Sequence, residues 1–133
     1  MNSQNGARIK SNSDTVGYIA GLVNLFTKLL LNKMLTQTCR ITYQNISIAN
    51  ISTYGIDIQC DYLNGGPTGM PTNGVIITDI VMDNITGTVQ SGAKDYYILC
   101  GESNCSNFTF NSISVVGGKN DSCNFKPAGD FVC

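Results

Sequence analysis

The sequence predicts an all-β chain wound as a parallel β-helix, a solenoid of short strands. The prediction rests on a repeat of strand-like segments, a turn-rich composition and a cysteine-rich C-terminal third. Hydrophobic residues make up 42% of the 133 residues and charged residues 13%, which excludes a charge-driven disordered chain. Asn, Ser, Thr, Gly and Ile are abundant and Trp is absent, as suits short strands joined by tight turns.

The repeat consists of three segments in which apolar residues alternate with polar ones, at 41–48, 75–82 and 108–115. Their starts are almost evenly spaced, and a second motif at 49–52 and 83–86 repeats at the same interval. Alternation points one set of side chains inward, and a fixed period marks a solenoid. We predict further strands at 55–59 and 96–100. A jelly roll or sandwich is the alternative, but the in-phase repeat argues against it.

The two ends of the chain differ. A solenoid coil needs a neighbour or a cap on each side. The cysteine-bounded C-terminus predicts a cap, whereas residues 7–10 look like a cut edge. Residues 1–16 are polar and contain no apolar signal segment. We therefore expect residues 1–133 to be the C-terminal coils of one larger domain.

Residues 17–39 break the pattern. Leu22, Leu25, Phe26, Leu29 and Leu30 have the spacing of an amphipathic helix, so an apolar helical insertion is predicted here. Charged and amide residues interrupt the segment too often for a membrane span. A helix packed on the solenoid and a helix lying on a membrane surface remain alternatives.

Six cysteines lie at positions 39, 60, 100, 105, 123 and 133. Cys100 and Cys105 flank a short turn, and Cys123 and Cys133 flank a stretch with a proline and a glycine, so each pair predicts a short-loop disulfide. A four-thiolate zinc site is the alternative, but it lacks the usual Cys-x2-Cys spacing. Cys39 and Cys60 could pair, or one could remain a free thiol.

Six candidate N-glycosylation sequons favour a secreted, extracellular protein. They are Asn45, Asn50, Asn84, Asn104, Asn107 and Asn120.

The composition also limits the chemistry. There is no histidine, which removes the commonest general base and metal ligand. The net charge is −1 and no basic cluster occurs, so a nucleic-acid partner is not expected. We expect no metal, no cofactor and no membrane partner.

Several runs together resemble glycoside hydrolase family 28, the polygalacturonases, over residues 5–16 and 40–133. They are Asn-Gly-Ala-Arg-Ile-Lys at 5–10, Ile-Thr-Tyr-Gln-Asn-Ile at 41–46, Tyr-Gly-Ile-Asp-Ile-Gln at 54–59, Asp-Tyr at 61–62, Gly-Pro-Thr-Gly at 66–69, Pro-Thr-Asn-Gly-Val at 71–75, Tyr-Ile-Leu-Cys-Gly at 97–101 and Cys-Ser-Asn-Phe-Thr at 105–109. The resemblance implies a right-handed parallel β-helix and hydrolysis of α-1,4-galacturonosyl bonds of pectin with inversion. It implies polygalacturonate as the partner and, at full length, a monomer.

The resemblance also implies three substrate-binding residues. Arg8 and Lys10 match the family's Arg-Ile-Lys motif, and on an extended strand both leave the same face to grip galacturonate. A basic edge without a ligand is the alternative. Tyr62 matches a tyrosine of the same cleft, although it could be a solvent-facing loop residue. Asp61 beside it is interpreted as a loop carboxylate.

The chain departs from the family in ways that bear on activity. The family's Asn-Thr-Asp, Asp-Asp and Gly-His-Gly motifs do not occur, so no catalytic residue is assigned and no hydrolysis by this chain is expected. A non-catalytic pectin-binding module or a structural β-solenoid are the alternative functions. Because the family runs directly from the Arg-Ile-Lys turn into the next strand, we hypothesise that residues 17–39 are unspliced intron.

Overall fold

A computed structural model of the chain describes residues 3–12, 17–19, 41–63 and 65–133, and these residues contain strands and no helix. The strands are β1 (Asn5–Asn12), β2 (Gly17–Ile19), β3 (Ile41–Ile51), β4 (Tyr54–Leu63), β5 (Gly66–Pro67), β6 (Val75–Val89), β7 (Lys94–Leu99), β8 (Cys105–Val116), β9 (Ser122–Cys123) and β10 (Ala128–Gly129). The predicted all-β class is confirmed. No described segment forms a helix that could cross a membrane.

The strands form two parallel sheets that the chain visits in turn. One sheet has the order β1-β4-β7-β9, with the short β5 antiparallel to β4. In the other, β2 and β3 both pair with β6, which is followed by β8 and β10. Because consecutive passes stack in parallel on the previous ones, the chain winds as the predicted β-helix.

The pairing register differs from the predicted repeat. Ile41 lies opposite Ile80, and Ile80 lies opposite Phe108, so the first pass is clearly longer than the second. Val75 lies opposite Gly17 rather than aligning with Ile41. The predicted uniform spacing was therefore wrong. Similar Ile-rich segments can be aligned at several offsets, and loops of unequal length separate the passes.

The core lies between the two sheets and is built of isoleucines in layers. Ile9, Ile58 and Ile98 stack from the first sheet, and Ile77, Ile80 and Ile85 come from the second. Five of these six side chains have no exposed surface and Ile9 retains 7%. This inward set fixes, by alternation, which residues the first sheet presents outward.

The C-terminal segment packs against the last coil. Phe131 makes edge-to-face contacts with Phe110 and Tyr96, and Phe125 makes one with Phe108. The Cys123–Cys133 disulfide closes this segment, and Cys100–Cys105 closes the turn before β8. Both predicted disulfides are confirmed. Cys60 is a free thiol, and Cys39 lies outside the described residues.

Bends within the strands of the second sheet use polar residues in the left-handed conformation. Asn45, Asn84 and Ser112 have positive φ at successive levels of the stack, as do Asp79 and Asn107 at the preceding bend. Asparagine and aspartate tolerate this conformation better than other side chains. Asn84 donates to Asn45 Oδ1 at 2.8 Å, so the bends also bind one another.

The anomalous segment begins later than predicted. Gly17–Ile19 is a strand in register with Val75–Ile77, so these three residues belong to the solenoid. Ile19 lies opposite Ile77 and Ile41 lies opposite Ile80. Only Thr78 and Asp79 connect Ile77 to Ile80, whereas the whole stretch 20–40 connects the equivalent points of the preceding pass.

Gly17–Ile19 therefore belong to the stack, and the remainder of the predicted 17–39 segment lies outside the described residues. The predicted helical insertion is not supported, since the described residues contain no helix, and its apolar residues at 22–35 lie outside them.

Candidate functional site

The candidate site lies on the outward face of the first sheet. Strand pairing places Arg8 opposite Asp57, Asp57 opposite Tyr97, and Lys10 opposite Gln59. These residues alternate with the inward isoleucines of the same strands. Charged and aromatic side chains from three coils therefore converge on one surface, although they are far apart in sequence.

Arg8 is held on one side by β4. Its Nε lies 2.7 Å from Asp57 Oδ2, a contact between opposite charges, and its Nη2 donates to Gln59 Oε1 at 2.9 Å. The Asp57 side chain is fully buried, whereas 28% of the Arg8 side chain is exposed. The guanidinium is thus oriented by the protein and still reaches solvent.

Lys10 and Tyr62 complete a cationic and aromatic cluster with Arg8. Lys10 Nζ lies 3.7 Å from the centre of the Tyr62 ring, and Arg8 Cζ lies 5.6 Å from it. Both distances fall in the range of cation–π attraction. The structure brings together the three residues singled out by sequence, and Tyr62 is half-buried against the two cations rather than free in a loop.

Asp61 is not a loop carboxylate as interpreted from the sequence. It lies in β4 and is fully buried. Its Oδ2 accepts hydrogen bonds from the Tyr97 hydroxyl at 3.0 Å and from the Gly69 amide at 2.8 Å. Asp61 therefore fixes the loop after Tyr62 against the sheet.

Tyr97 and Tyr54 form the aromatic flank of the site. Their rings stack with centres 4.7 Å apart. Burial, together with the hydrogen bond to Asp61, raises the pKa of Tyr97 well above its ordinary value, so its hydroxyl stays protonated as a donor.

The environment of Asp57 moves the pKa of its carboxyl group close to neutral pH. Burial, and to a smaller extent nearby Asp61, outweigh the opposing effects of Arg8, Lys10 and Gln59 and raise the pKa of Asp57 to about 7. Desolvation thus exceeds the effect of the Arg8 charge. Near neutral pH, Asp57 changes between a neutral partner and a charged partner of Arg8.

The two carboxyl groups that β4 contributes to this site are not exposed. Asp57 and Asp61 are both fully buried, the first against Arg8 and the second against Tyr97 and Gly69. Neither is placed to donate a proton to a sugar oxygen or to activate a water molecule. The exposed part of the Arg8 guanidinium, with Lys10 beside it, is suited to holding an anion.

Sequence reasoning missed the roles of Asp57, Gln59 and Tyr97. The alternation of β4 could have indicated the first two, because residues 57 and 59 share the outward face with Arg8 and Lys10. Their contact with Arg8 depended on register, which the apparent repeat obscured.

The sequons differ in accessibility. Asn104 is 2% exposed, and its amide donates to the carbonyls of Thr72 and Val75. Contrary to the prediction from its sequon, the folded chain does not present Asn104 for glycosylation. The other five are exposed: Asn45, Asn50, Asn84, Asn107 and Asn120.

Comparison with known proteins identifies relatives over nearly the whole chain. The family model described as Glycosyl hydrolases family 28 matches residues 30–130. Among the curated relatives, a probable endopolygalacturonase D of Emericella nidulans is 48% identical over 97% of this chain, which spans 21% of that relative. A polygalacturonase of Fusarium fujikuroi is 51% identical over 94% of the chain and 29% of its own length. An endopolygalacturonase D of Aspergillus niger is 47% identical over 97% of the chain and 22% of its own length. The chain thus spans less than a third of each of these relatives.

Proposed function

We propose that this chain, which belongs to glycosyl hydrolases family 28, is the substrate-binding part of a pectin-degrading polygalacturonase. The observation that carries the proposal is the convergence of Arg8, Lys10 and Tyr62 on one outward surface. In this role the chain binds galacturonate units of pectin, a polyanionic polysaccharide. The names of its relatives support the same substrate class.

Each residue has a chemical role in this proposal. A planar guanidinium can bind a carboxylate through two parallel hydrogen bonds, and Asp57 and Gln59 orient Arg8 for it. Lys10 adds a point charge two residues along the same face. The Tyr62 ring supplies an apolar surface for a sugar ring and positions both cations.

We infer that the chain binds without cutting. Inverting hydrolysis uses two carboxyl groups about 6.5–9.5 Å apart, with room for a water molecule between them. The buried Asp57 and Asp61 do not meet this need. Hydrolysis with inversion would then belong to a longer protein in which other segments supply the acid and the base.

The proposed setting is extracellular. Two disulfides and five exposed sequons fit an oxidising secretory route. In this proposal the full-length protein is a secreted monomer that needs neither a membrane nor a nucleic-acid partner.

The test is binding of the 133-residue chain to oligogalacturonates, measured by calorimetry. We expect Arg8→Ala and Lys10→Ala each to weaken binding by roughly tenfold to a hundredfold, since charge-assisted contacts contribute about 1.5–3 kcal/mol. Tyr62→Ala should weaken binding as well, because it removes the ring that both cations contact. Lys119→Ala, an exposed lysine outside the site, is the control and should bind as the parent does.

Three outcomes separate the candidate functions. Binding without release of reducing ends supports the proposal and, on its own, equally fits a non-catalytic pectin-binding module. Release of reducing ends by the purified chain contradicts the inference that it does not cut. Absence of binding leaves only a structural β-solenoid. Equal binding by the parent chain and all three variants contradicts the assignment of Arg8, Lys10 and Tyr62 as the binding residues.

We further propose that most of residues 20–40 are unspliced intron translated in frame. Two residues span the equivalent corner in each of the next two passes, Ile77 to Ile80 and Cys105 to Phe108, which supports this idea. Sequencing of mature transcripts is the test. A spliced transcript that still encodes Leu22 to Leu35 would refute it.

A further inference from the structure

We propose that Cys60, Cys100 and Cys105 form a thiol–disulfide exchange site, in which the Cys60 thiol displaces Cys105 and ties two neighbouring coils together. The three sulfur atoms all lie within 4.8 Å of one another. Cys100 and Cys105 are joined in a disulfide, and Cys60 is free. A thiol beside a disulfide is the arrangement from which exchange proceeds.

Strand pairing brings Cys60 and Cys100 to the same level. Gln59 of β4 lies opposite Leu99, the last residue of β7. Cys60 and Cys100 directly follow this pair in the two chain segments. Neighbouring strands are about 4.8 Å apart, within the Cα separations of about 4.4–6.8 Å that disulfides span. Both side chains point into the core, where they are 0% and 4% exposed.

The exchange is balanced and needs no further reactant. The Cys60 thiol loses its proton and its sulfur forms a bond to Cys100 Sγ. The Cys100–Cys105 bond breaks, and Cys105 leaves as a thiolate that takes up a proton. One disulfide and one thiol are present before and after, so no oxidant or reductant is consumed.

The surroundings can accommodate the product. The Cys100 backbone is held on both sides by Asn124, whose Oδ1 accepts from the Cys100 amide at 2.8 Å and whose Nδ2 donates to the Cys100 carbonyl at 2.7 Å. The turn before Cys105 is held by the Asn104 amide, which donates to Thr72 and Val75. Neither anchor depends on the Cys100–Cys105 bond.

The alternative disulfide would be a long-range link rather than a local one. Cys100–Cys105 closes a local turn, whereas Cys60–Cys100 would join two separate coils and fasten β4 to β7. Cys60 lies between Gln59, which binds Arg8, and Asp61, which binds Tyr97. Exchange would therefore place a covalent link directly beneath the outward face that carries Arg8, Lys10 and Tyr62.

Trypsin separates the cysteines into distinguishable peptides, because cleavage follows Arg40, Lys94 and Lys119. Cys60 lies in peptide 41–94, Cys100 and Cys105 lie together in 95–119, and Cys39 lies in 34–40. The folded chain is incubated at mildly alkaline pH, quenched with acid, alkylated, freed of N-glycans and mapped without reduction. We expect peptides 41–94 and 95–119 to become joined, with the alkyl label moving from Cys60 to Cys105.

Two variants test the proximity of Cys60 and Cys100 without depending on how fast the disulfide exchanges in the parent chain. Cys105→Ser leaves Cys60 and Cys100 as the neighbouring thiols, and we expect the joined peptide pair to be its main form after oxidative folding. Cys60→Ala with Cys105→Ser is the matched control and should leave Cys100 alkylated. The proposal is overturned if Cys105→Ser retains free Cys60 and Cys100, or if Cys60 is found joined to peptide 34–40.

Discussion

Asp57 determines how much positive charge Arg8 presents to a ligand. Its carboxyl group is fully buried, it lies 2.7 Å from Arg8 Nε, and its pKa is raised to about 7 by burial. A neutral Asp57 leaves the Arg8 charge uncompensated, whereas an ionised Asp57 offsets it. The protonation state of the buried Asp57 thus sets the net charge of the Asp57–Arg8 pair, of which Arg8 reaches the surface.

Binding of oligogalacturonate should therefore be tighter at about pH 5 than at about pH 8, by roughly threefold to tenfold at constant salt. Galacturonate stays ionised across this range, so the change lies in the protein. Titration calorimetry of the parent and of Asp57→Asn checks this. The variant should lose most of the difference, and an unchanged pH dependence in Asp57→Asn would contradict the assignment.

The same residue should affect stability with a definite sign. The pKa of Asp57 in the folded chain lies above that of an unfolded aspartate, so between about pH 4 and pH 7 the folded state retains a proton that the unfolded state has lost. The free energy of unfolding should fall as pH rises through this window, by on the order of 2–4 kcal/mol.

Urea unfolding at several pH values measures this contribution. Asp57→Asn should flatten the pH dependence, whereas Glu102→Gln, which alters an exposed carboxyl group, should retain it. Stability that rises across this window only in the parent chain would contradict the raised pKa of Asp57.

At the residue scale, motifs singled out Arg8, Lys10 and Tyr62, which the fold brings together. Their assignment to substrate binding stays a prediction. Sequence reasoning missed the residues that distant coils add to the same surface. Asp57 was missed because it contacts Arg8, which belongs to the preceding coil and reaches it only through the register of two strands. Asp61 was misassigned because its hydrogen-bond partners on Tyr97 and the Gly69 loop also depend on the fold.

At the scale of the strands, alternation predicted their existence and inward faces well but did not fix their register. Gln-Asn-Ile-Ser at 44–47 lies opposite Asp-Asn-Ile-Thr at 83–86, whereas the sequence comparison aligned 83–86 with 49–52. Both candidate partners of 83–86 contain Asn-Ile followed by Ser. Local similarity therefore leaves two registers open, and long-range packing selects one.

Gly87 shows how closely two neighbouring strands approach at one level of the stack. Its φ is +145°, and a Cβ placed there would collide with the backbone carbonyl of Ile48. We expect Gly87→Ala to lower the free energy of unfolding by about 2–4 kcal/mol, because both the backbone and its neighbour must shift.

Gly92→Ala is the matched control for this change. Gly92 lies in an exposed turn, and no atom lies within 4 Å of the added Cβ position. Its free energy of unfolding should remain within about 0.5 kcal/mol of the parent value. Equal effects of the two substitutions in chemical denaturation would argue against the register of β3 on β6.

At the scale of the whole molecule, we expect the stack to form without most of residues 20–40. Ile19 and Ile41 lie opposite Ile77 and Ile80, which two residues connect. Replacing 20–40 by Thr-Asp, the residues at 78–79, should preserve the fold and raise the free energy of unfolding by about 2 kcal/mol, since a shorter loop costs less entropy to close. Calorimetric unfolding compares the two chains, and loss of cooperative unfolding in the shortened chain would refute the prediction.

The corner between Ile19 and Ile41 also matters for protein engineering. Two strands keep their places on β6 although the whole stretch 20–40 enters the chain between them, where the next pass has only Thr78 and Asp79. The pairing of β2 and β3 with β6 therefore does not depend on a short connection between them. We therefore expect this corner to accept an affinity tag, an epitope or a second folded domain while the face that carries Arg8 and Tyr62 is retained.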